Sequence, residues 1–314
     1  MSSLPTHEAG IIVGVDGSPA ALRAVRWGAV EATLRGTPLT LVHVLDALSG
    51  GPKTPRALGP VGAAELALDR ETRARQLLED AKAVAQQQTR TPHPIHCQLL
   101  WGTPGTILAG LTGRADLLAL GHEHRTAVAV LLNSTTAAVL KHARCPVAVI
   151  RDPAPTAERG AVLVGVDGSP ASEWAVALAF DEACRRGATL MALHAWTHAE
   201  VSDIPSLEES NLHNAAAEIL AERLAGWPER YPDVPVHRIV VEGHPARALI
   251  ERSALAQLTI VGSRRRGRIG RLILGSVSSD VVNAARSPVI LTPAITRSRG
   301  RVDGRPAPDM SPGE

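Results

Sequence analysis

The chain repeats itself. Residues 13–20 read Val-Gly-Val-Asp-Gly-Ser-Pro-Ala, and residues 164–171 read the same eight, an offset of 151. Fainter echoes follow. Trp101-Gly102-Thr103-Pro104 answers Glu242-Gly243-His244-Pro245, Ala119-Leu120-Gly121 answers Ile260-Val261-Gly262, Asn133-Ser134-Thr135-Thr136 answers Gly275-Ser276-Val277-Ser278, and Arg144-Cys145-Pro146-Val147 answers Arg286-Ser287-Pro288-Val289. In these later pairs the offset falls to 141–142, so the first copy holds some ten extra residues. Their expected place is Ser49–Gly62, whose glycine and proline density predicts a loop. Copies of about 140 residues are domain-sized rather than solenoid units. The expected division is 1–152 and 159–296, with Asp152–Gly160 as the linker. Residues 297–314, rich in Arg, Gly and Pro with no apolar period, form a tail expected to be disordered.

Within each copy the hydrophobic period alternates. Ile11–Val15 is a β-branched run, and a helical stretch follows from Ser18 to Arg35, with Pro19 at the favoured first helical position and Gly36 placed to end it. Leu39–Leu45, Ile95–Trp101, Leu117–Leu120 and Val147–Ile150 read as further strands. Helices are expected over Ala63–Gln88, Pro104–Thr112 and Ser134–Ala143, and the second copy repeats the pattern from Val162 to Leu291. Strand–helix alternation of this kind makes a parallel sheet covered on both faces. The fold expected is α/β: two tandem doubly wound domains, each with five parallel strands.

Composition removes several function classes. With 33 Lys+Arg against 31 Asp+Glu the net charge is +2, so no global field selects nucleic acid or a membrane surface. No apolar run reaches the length of a membrane span, and residues 1–10 hold no apolar signal core. Three scattered cysteines without a CxxC pair argue against a disulfide scaffold or zinc ribbon and fit a reducing compartment. A cytoplasmic location is the expectation.

In doubly wound sheets, ligands bind beyond the carboxyl ends of the strands, where the strand order reverses. After the first strand comes Asp16-Gly17-Ser18, and again Asp167-Gly168-Ser169. The aspartate can accept a hydrogen bond from a ring or amine donor, the glycine permits a tight turn, and the serine can cap the next helix. Capping alone could also account for these residue types. The richest segment, residues 262–278, follows the fourth strand of copy two. It carries Gly262, Gly267, Gly270 and Gly275, Arg264, Arg265, Arg266, Arg268 and Arg271, then Ser276, Val277 and Ser278. A glycine-rich loop entering a helix N-terminus suits a phosphate, and the arginines add positive charge. It is not a Walker loop, since GK[ST] is absent, nor a dinucleotide fingerprint, which would follow the first strand. Nucleic-acid binding by stacking would call for aromatics, and none lies in this loop.

These residues together resemble the universal stress protein family in its tandem form. The carriers are VGVDGS after the first strand, GHPA after the third, VGS…LGSVS around the fourth and SPVIL on the fifth, over essentially Ala9–Pro293. The resemblance implies a Rossmann-like fold of the adenine-nucleotide hydrolase type, with ATP, with or without magnesium, as the ligand. In the ATP-binding branch the motif is glycine, two residues, glycine, nine residues, then glycine and Ser or Thr. Copy two matches at Gly262, Gly275 and Ser276 but carries Arg265 at the second glycine, with Gly267 close by. By resemblance Gly165, Val166, Asp167, Gly168 and Ser169 would meet the adenine side, and His194 and Ala195 would line the base pocket. Gly262, Arg264, Arg265 and Gly267 would approach ribose and phosphates, and Gly275, Ser276, Val277 and Ser278 the phosphate chain. Copy one departs further: between Gly121 and Ser134 it has no glycine, Asn133 replaces the last motif glycine, and Val128–Leu132 is bulky and apolar. Gly14, Asp16, Gly121, Asn133, Ser134 and Thr136 remain as weaker candidates for a poorly occupied or vacant site. The family joins domains through fifth strands, which here are Val147–Ile150 and Val289–Leu291. An intramolecular pseudo-dimer and further assembly into a homodimer through sheet edges are the expectations.

Other constellations carry less. His122 and His124 flank Glu123 with no third ligand near in sequence, so no metal site is expected. His43 and His194 hold equivalent second-strand positions and are expected to pack near the base pocket. No G-x-S-x-G elbow occurs, Cys145 before a strand-opening proline reads as a buried small hydrophobe, and no dedicated catalytic base is visible. The function expected is ATP binding with a regulatory role in stress. A nucleotide-independent interaction module and a slow ATPase stay open beside it.

Overall fold

The computed structural model describes residues 10–46, 55–88, 93–122, 135–151, 160–196, 209–263 and 275–293. Each copy opens on a short strand, β1 (Ile11–Gly14) or β6 (Ala161–Gly165), whose β-branched and leucine side chains are buried. The helix that follows is built identically in the two copies. In α1 (Pro19–Arg35) the Ser18 hydroxyl accepts from the Ala21 amide at 3.1 Å, and Gly36 at φ +65° closes the helix by donating to carbonyls of the last turn. In α5 (Pro170–Arg186) Ser169 accepts from Ser172 at 3.3 Å and Gly187 at φ +57° does the closing. Hydroxyl cap, proline at the first position and left-handed glycine satisfy the amides and carbonyls that a helix cannot satisfy internally.

The remaining strands are β2 (Leu39–Leu45), β3 (Ile95–Trp101), β4 (Leu117–Gly121) and β5 (Val147–Ile150) in the first copy. In the second they are β7 (Leu190–Trp196), β8 (Val236–Glu242), β9 (Ala256–Gly262) and β10 (Val289–Thr292). Helices α3 (Pro104–Leu111) and α4 (Thr135–His142) cover one copy, α8 (Pro245–Arg252) and α9 (Ser276–Ala284) the other. The ten strands of the described residues join one sheet in the order β3-β2-β1-β4-β5-β10-β9-β6-β7-β8. Pairing is parallel within each copy, and β5 meets β10 antiparallel, with Val147 opposite Leu291 and Val149 opposite Val289. The expected pairing of fifth strands is therefore the seam of the molecule. Every residue of β5 and β10 is buried, so the central strands read as continuous apolar runs. Two apolar layers, one on each face of the sheet, draw side chains from both copies.

The copies differ most between their second and third strands. Among the described residues the first copy has one helix there, α2 (Pro55–Gln88), and the second has α6 (Glu209–Leu224) and the short α7 (Trp227–Arg230). The predicted loop over Ser49–Gly62 is thus helical from Pro55 onward. Proline at a helix start gives up an amide that would be unpaired anyway, and residues added to a helix already packed downstream carry no fresh nucleation cost. In the second copy, Phe180, Trp227 and Tyr231 stack with ring centroids 5.5–6.1 Å apart beside the shorter connection.

Polar groups also cross the seam. Glu31 and Arg35 on α1 meet Glu182 and Arg186 on α5, the same two residue types at an offset of 151. Arg35 donates to Glu31 at 2.7 Å and Arg186 pairs with Glu182 at 3.0 Å, while Arg35–Glu182 and Arg186–Glu31 close the ring. Both carboxyls are fully buried. Burial, with Glu31 alongside, pushes Glu182 up to about 7 against the pull of Arg35 and Arg186. Burial alone would raise Glu31 too, but Arg186 and Arg35 outweigh it and hold that carboxyl below its ordinary value. Following β5, the buried Arg151 donates to the Val282 carbonyl at 2.9 Å and to that of Asn283, tying the first copy to the last turn of α9. Among the described residues no helix is long and apolar enough to cross a membrane.

Candidate functional site

The first strand of each copy is flanked by the second on one side and the fourth on the other, so the strand order reverses between β6 and β9, and likewise between β1 and β4. The crevice beyond their carboxyl ends is where such sheets hold ligands.

In copy two the rim of that crevice is tied together by short contacts. The Val166 amide donates to Leu193, and the Val166 carbonyl takes His194 Nδ1 at 2.8 Å, which makes Nδ1 the protonated ring nitrogen. Asp167 is exposed, and its Oδ1 accepts from the Ser169 amide at 2.9 Å in a tight turn through Gly168 at φ +71°. The Asp167 amide donates to Ser172 Oγ at 3.1 Å. Gly262 ends β9 against the first turn of α5. A Cβ there would lie 2.7–2.8 Å from backbone atoms of Ala171 and Ser172. Gly275 caps α9 without a side chain, Ser276 is exposed at the first position, Val277 is half-buried, and the buried Ser278 donates to the Gly262 carbonyl at 2.9 Å. Gly165, Val166, Asp167, Gly168, Ser169, His194, Ala195, Gly262, Gly275, Ser276, Val277 and Ser278 are therefore on contiguous strand ends and helix starts. Arg264, Arg265 and Gly267 lie outside the described residues.

Copy one repeats the frame. The Ser18 amide donates to Asp16 Oδ1 at 2.9 Å, Gly17 has φ +85°, and His43 Nδ1 reaches the Val15 carbonyl at 2.7 Å. Gly14 ends β1, Gly121 abuts the backbone of Ala20 and Ala21, and Thr136 is buried in the first turn of α4. Asn133 and Ser134 lie outside the described residues. The repeated octapeptide thus has a local task at nearly every position: buried valines, an aspartate–amide turn, a left-handed glycine, a cap, an N-terminal proline and an alanine small enough to lie under Gly121 or Gly262.

Sequence reading missed three groups at this rim. Thr292 Oγ1 donates to the Ala171 carbonyl at 3.1 Å, and Ser263 reaches the Thr292 carbonyl with both amide and hydroxyl, so the end of β10 anchors the start of the loop after β9. The guanidinium of Arg223 on α6 stands 3.0 Å from where a Gly168 Cβ would be, and it pairs with Glu173 at 3.6 Å. No periodicity announces the first two. The third had a signal, since Glu173 replaces Leu22 two residues beyond the repeated block.

Among the described residues no group of three or more His, Cys, Asp or Glu is placed to hold a metal. Cys97, Cys145 and Cys184 are free thiols, and burial pushes Cys145 up to about 12. That is the inert packed cysteine expected from its place before Pro146.

Known proteins match this architecture along its whole described length. The model of the universal stress protein family matches twice, over residues 10–151 and 158–293. A universal stress protein of Mycobacterium bovis is 43% identical over 296 residues, covering 92% of this chain and 98% of its own. Another, from Mycobacterium tuberculosis, is 42% identical over 291 residues, covering 90% and 95%. Among solved structures, a universal stress protein of Archaeoglobus fulgidus superposes with a TM-score of 0.64 at 17% identity, over 91% of this chain and 96% of that one. A structure from Pseudomonas aeruginosa gives 0.53 at 20% identity. These last two are likenesses of fold. With both copies matched and relatives alike over nearly their full length, the chain belongs to the universal stress protein family.

Proposed function

We propose that this universal stress protein binds ATP, with or without magnesium, in its second copy, and that occupancy of the site regulates a stress response. The observation that supports this reading is the rim of copy two. There the Asp167 turn, the end of β9 at Gly262 and the N-terminus of α9 at Gly275–Ser276 meet where the strand order reverses. On this reading Asp167 faces the adenine, and the amides at the start of α9 with Ser276 hold the phosphates. Gly262 also lets strand and helix close up, and Ser278, which donates to the Gly262 carbonyl, fixes that closure on the phosphate side of the site. Arg264, Arg265 and Gly267 complete the phosphate side, while copy one, with domain bounds 1–152 against 159–296, serves as the structural partner. Location in the cytoplasm and a homodimer through the outer sheet edges, β3 and β8, belong to the same proposal.

The experiment is to titrate the purified full chain with Mg-ATP and compare Asp167→Ala and Ser276→Ala. Binding by the parent chain that both variants lose is the expected result, and unaltered binding in the variants refutes the residue assignments.

A nucleotide-independent interaction module is the second reading. It is favoured by the local structural tasks already met by Asp167, Ser169 and Ser278, and it expects a chain that purifies empty and stays monodisperse with or without ATP. Hydrolysis, if measured, belongs to the protein only where loss of Ser276 removes it.

A further inference from the structure

The helix that the phosphates would meet is held at its far end by the other copy. Gly275 offers the first-turn amides of α9 no side-chain cap, and nine residues on, about 13 Å away, the helix ends in carbonyls that need partners. Its counterpart in copy one, α4, carries Lys141 and His142 in its last turn, whereas α9 has no basic residue there. Cations in that place serve the last carbonyls and the negative end of the helix dipole. For α9 the cation comes from the first copy. Arg151, directly after β5 and only 4% exposed, donates to the carbonyls of Val282 at 2.9 Å and of Asn283. The tie runs one way. At the offset of 142 that relates the fifth strands, Pro293 stands where Arg151 does, and a proline has no side-chain donor to offer α4. The turn after each helix is otherwise anchored alike, the Arg144 amide on Thr112 Oγ1 and the Arg286 amide on Ser253 Oγ.

We infer that Arg151 is a positioning residue of the second-copy site: from across the seam it holds the C-terminal end of α9, and so sets where the Gly275–Ser276 end stands relative to Asp167 and Gly262. The inference rests on the proposed nucleotide site and adds to it a task for copy one, which anchors the phosphate-binding helix without touching ligand. A buried guanidinium is costly unless its donors find partners, so its aim at these two carbonyls fixes α9 against the seam. A short rigid helix passes a shift at one end to the other, where Ser278 on the Gly262 carbonyl is the next tie.

The test uses the full chain and measures affinity for Mg-ATP and for adenosine by titration calorimetry, adenosine also by competition, at a temperature where every variant is folded. Arg151→Met should weaken Mg-ATP about threefold to thirtyfold and leave adenosine unchanged, because the base side at Asp167 is not carried on α9. Arg151→Lys, which keeps a charged donor for the two carbonyls, should bind Mg-ATP more tightly than Arg151→Met does. Ile12→Val, a truncation in the buried core of copy one, should lower the melting temperature yet bind Mg-ATP as the parent does, which separates positioning from loss of stability. Equal Mg-ATP affinity in the parent and Arg151→Met, equal weakening of ATP and adenosine, no recovery in Arg151→Lys, or the same loss in Ile12→Val overturns the inference while leaving the site itself standing. A parent chain that binds no ATP overturns both.

Discussion

Glu182 gives the seam a stability that depends on pH, with a sign opposite to that of an ordinary salt-bridged carboxylate. Its folded value of about 7 lies above the 4.5 of an unperturbed side chain, so the folded state holds the proton more tightly than the unfolded one. Stability from this group is then present below about pH 4.5 and is lost as pH rises towards 7. The full difference corresponds to about 3 kcal/mol, and between pH 5.5 and 7.5 the linkage relation gives a loss of about 2 kcal/mol. Glu31, held low by Arg186 and Arg35, is ionised in both states across that window and adds no slope. Urea unfolding at fixed ionic strength should show the drop in the parent chain. In Glu182→Gln, which keeps the shape of the protonated acid, that component of the pH dependence should vanish, with stability at pH 7.5 equal to the parent's or higher. An identical pH slope in the two proteins would refute the reasoning. So would a loss of about 3 kcal/mol or more in Glu182→Gln at pH 7.5, because it would mean the ionised carboxylate is what the two arginines require.

Other perturbations follow from single contacts. Gly262→Ala should destabilise by about 1–3 kcal/mol in thermal melts, because the new methyl meets the backbone of Ala171 and Ser172 rather than a side chain that can turn away; a silent substitution would mean that strand and helix are not so close. Ser169→Ala removes the cap of α5 and should cost about 1 kcal/mol by urea unfolding. Arg151→Met strands two carbonyls at the end of α9 and should cost about 1–3 kcal/mol by the same measurement, with an unchanged midpoint counting against that clamp.

The fold was readable because its strands are uniform apolar runs and its first helices carry cap, proline and closing glycine in plain order. The seam was readable in part. The fifth strands were expected to pair, yet the ring formed by Glu31, Arg35, Glu182 and Arg186 gives no local signal: in sequence each pair is an ordinary i,i+4 match on a helix. Its meaning appears only when α1 and α5 come together across the seam. The helical start of α2 was hidden because Gly51, Gly59 and Pro60 favour turns when read locally, while packing further along the helix decides the matter. At the candidate site, sequence identified the Asp167 turn and Gly262 but assigned the glycine to ligand approach. The geometry gives it a nearer reason, the backbone of Ala171. Arg223 was missed because what brings it to Gly168 is the packing of α6, which no spacing encodes.

The central claim is that copy two holds an adenine nucleotide and copy one does not. It is tested most directly by purifying the full chain without added nucleotide, denaturing it, and quantifying what is released per chain by chromatography and mass. About one ATP per chain is the result expected from a single competent rim. Two would contradict the vacancy of copy one, and none, followed by no uptake of Mg-ATP on titration, would contradict the nucleotide-binding account itself.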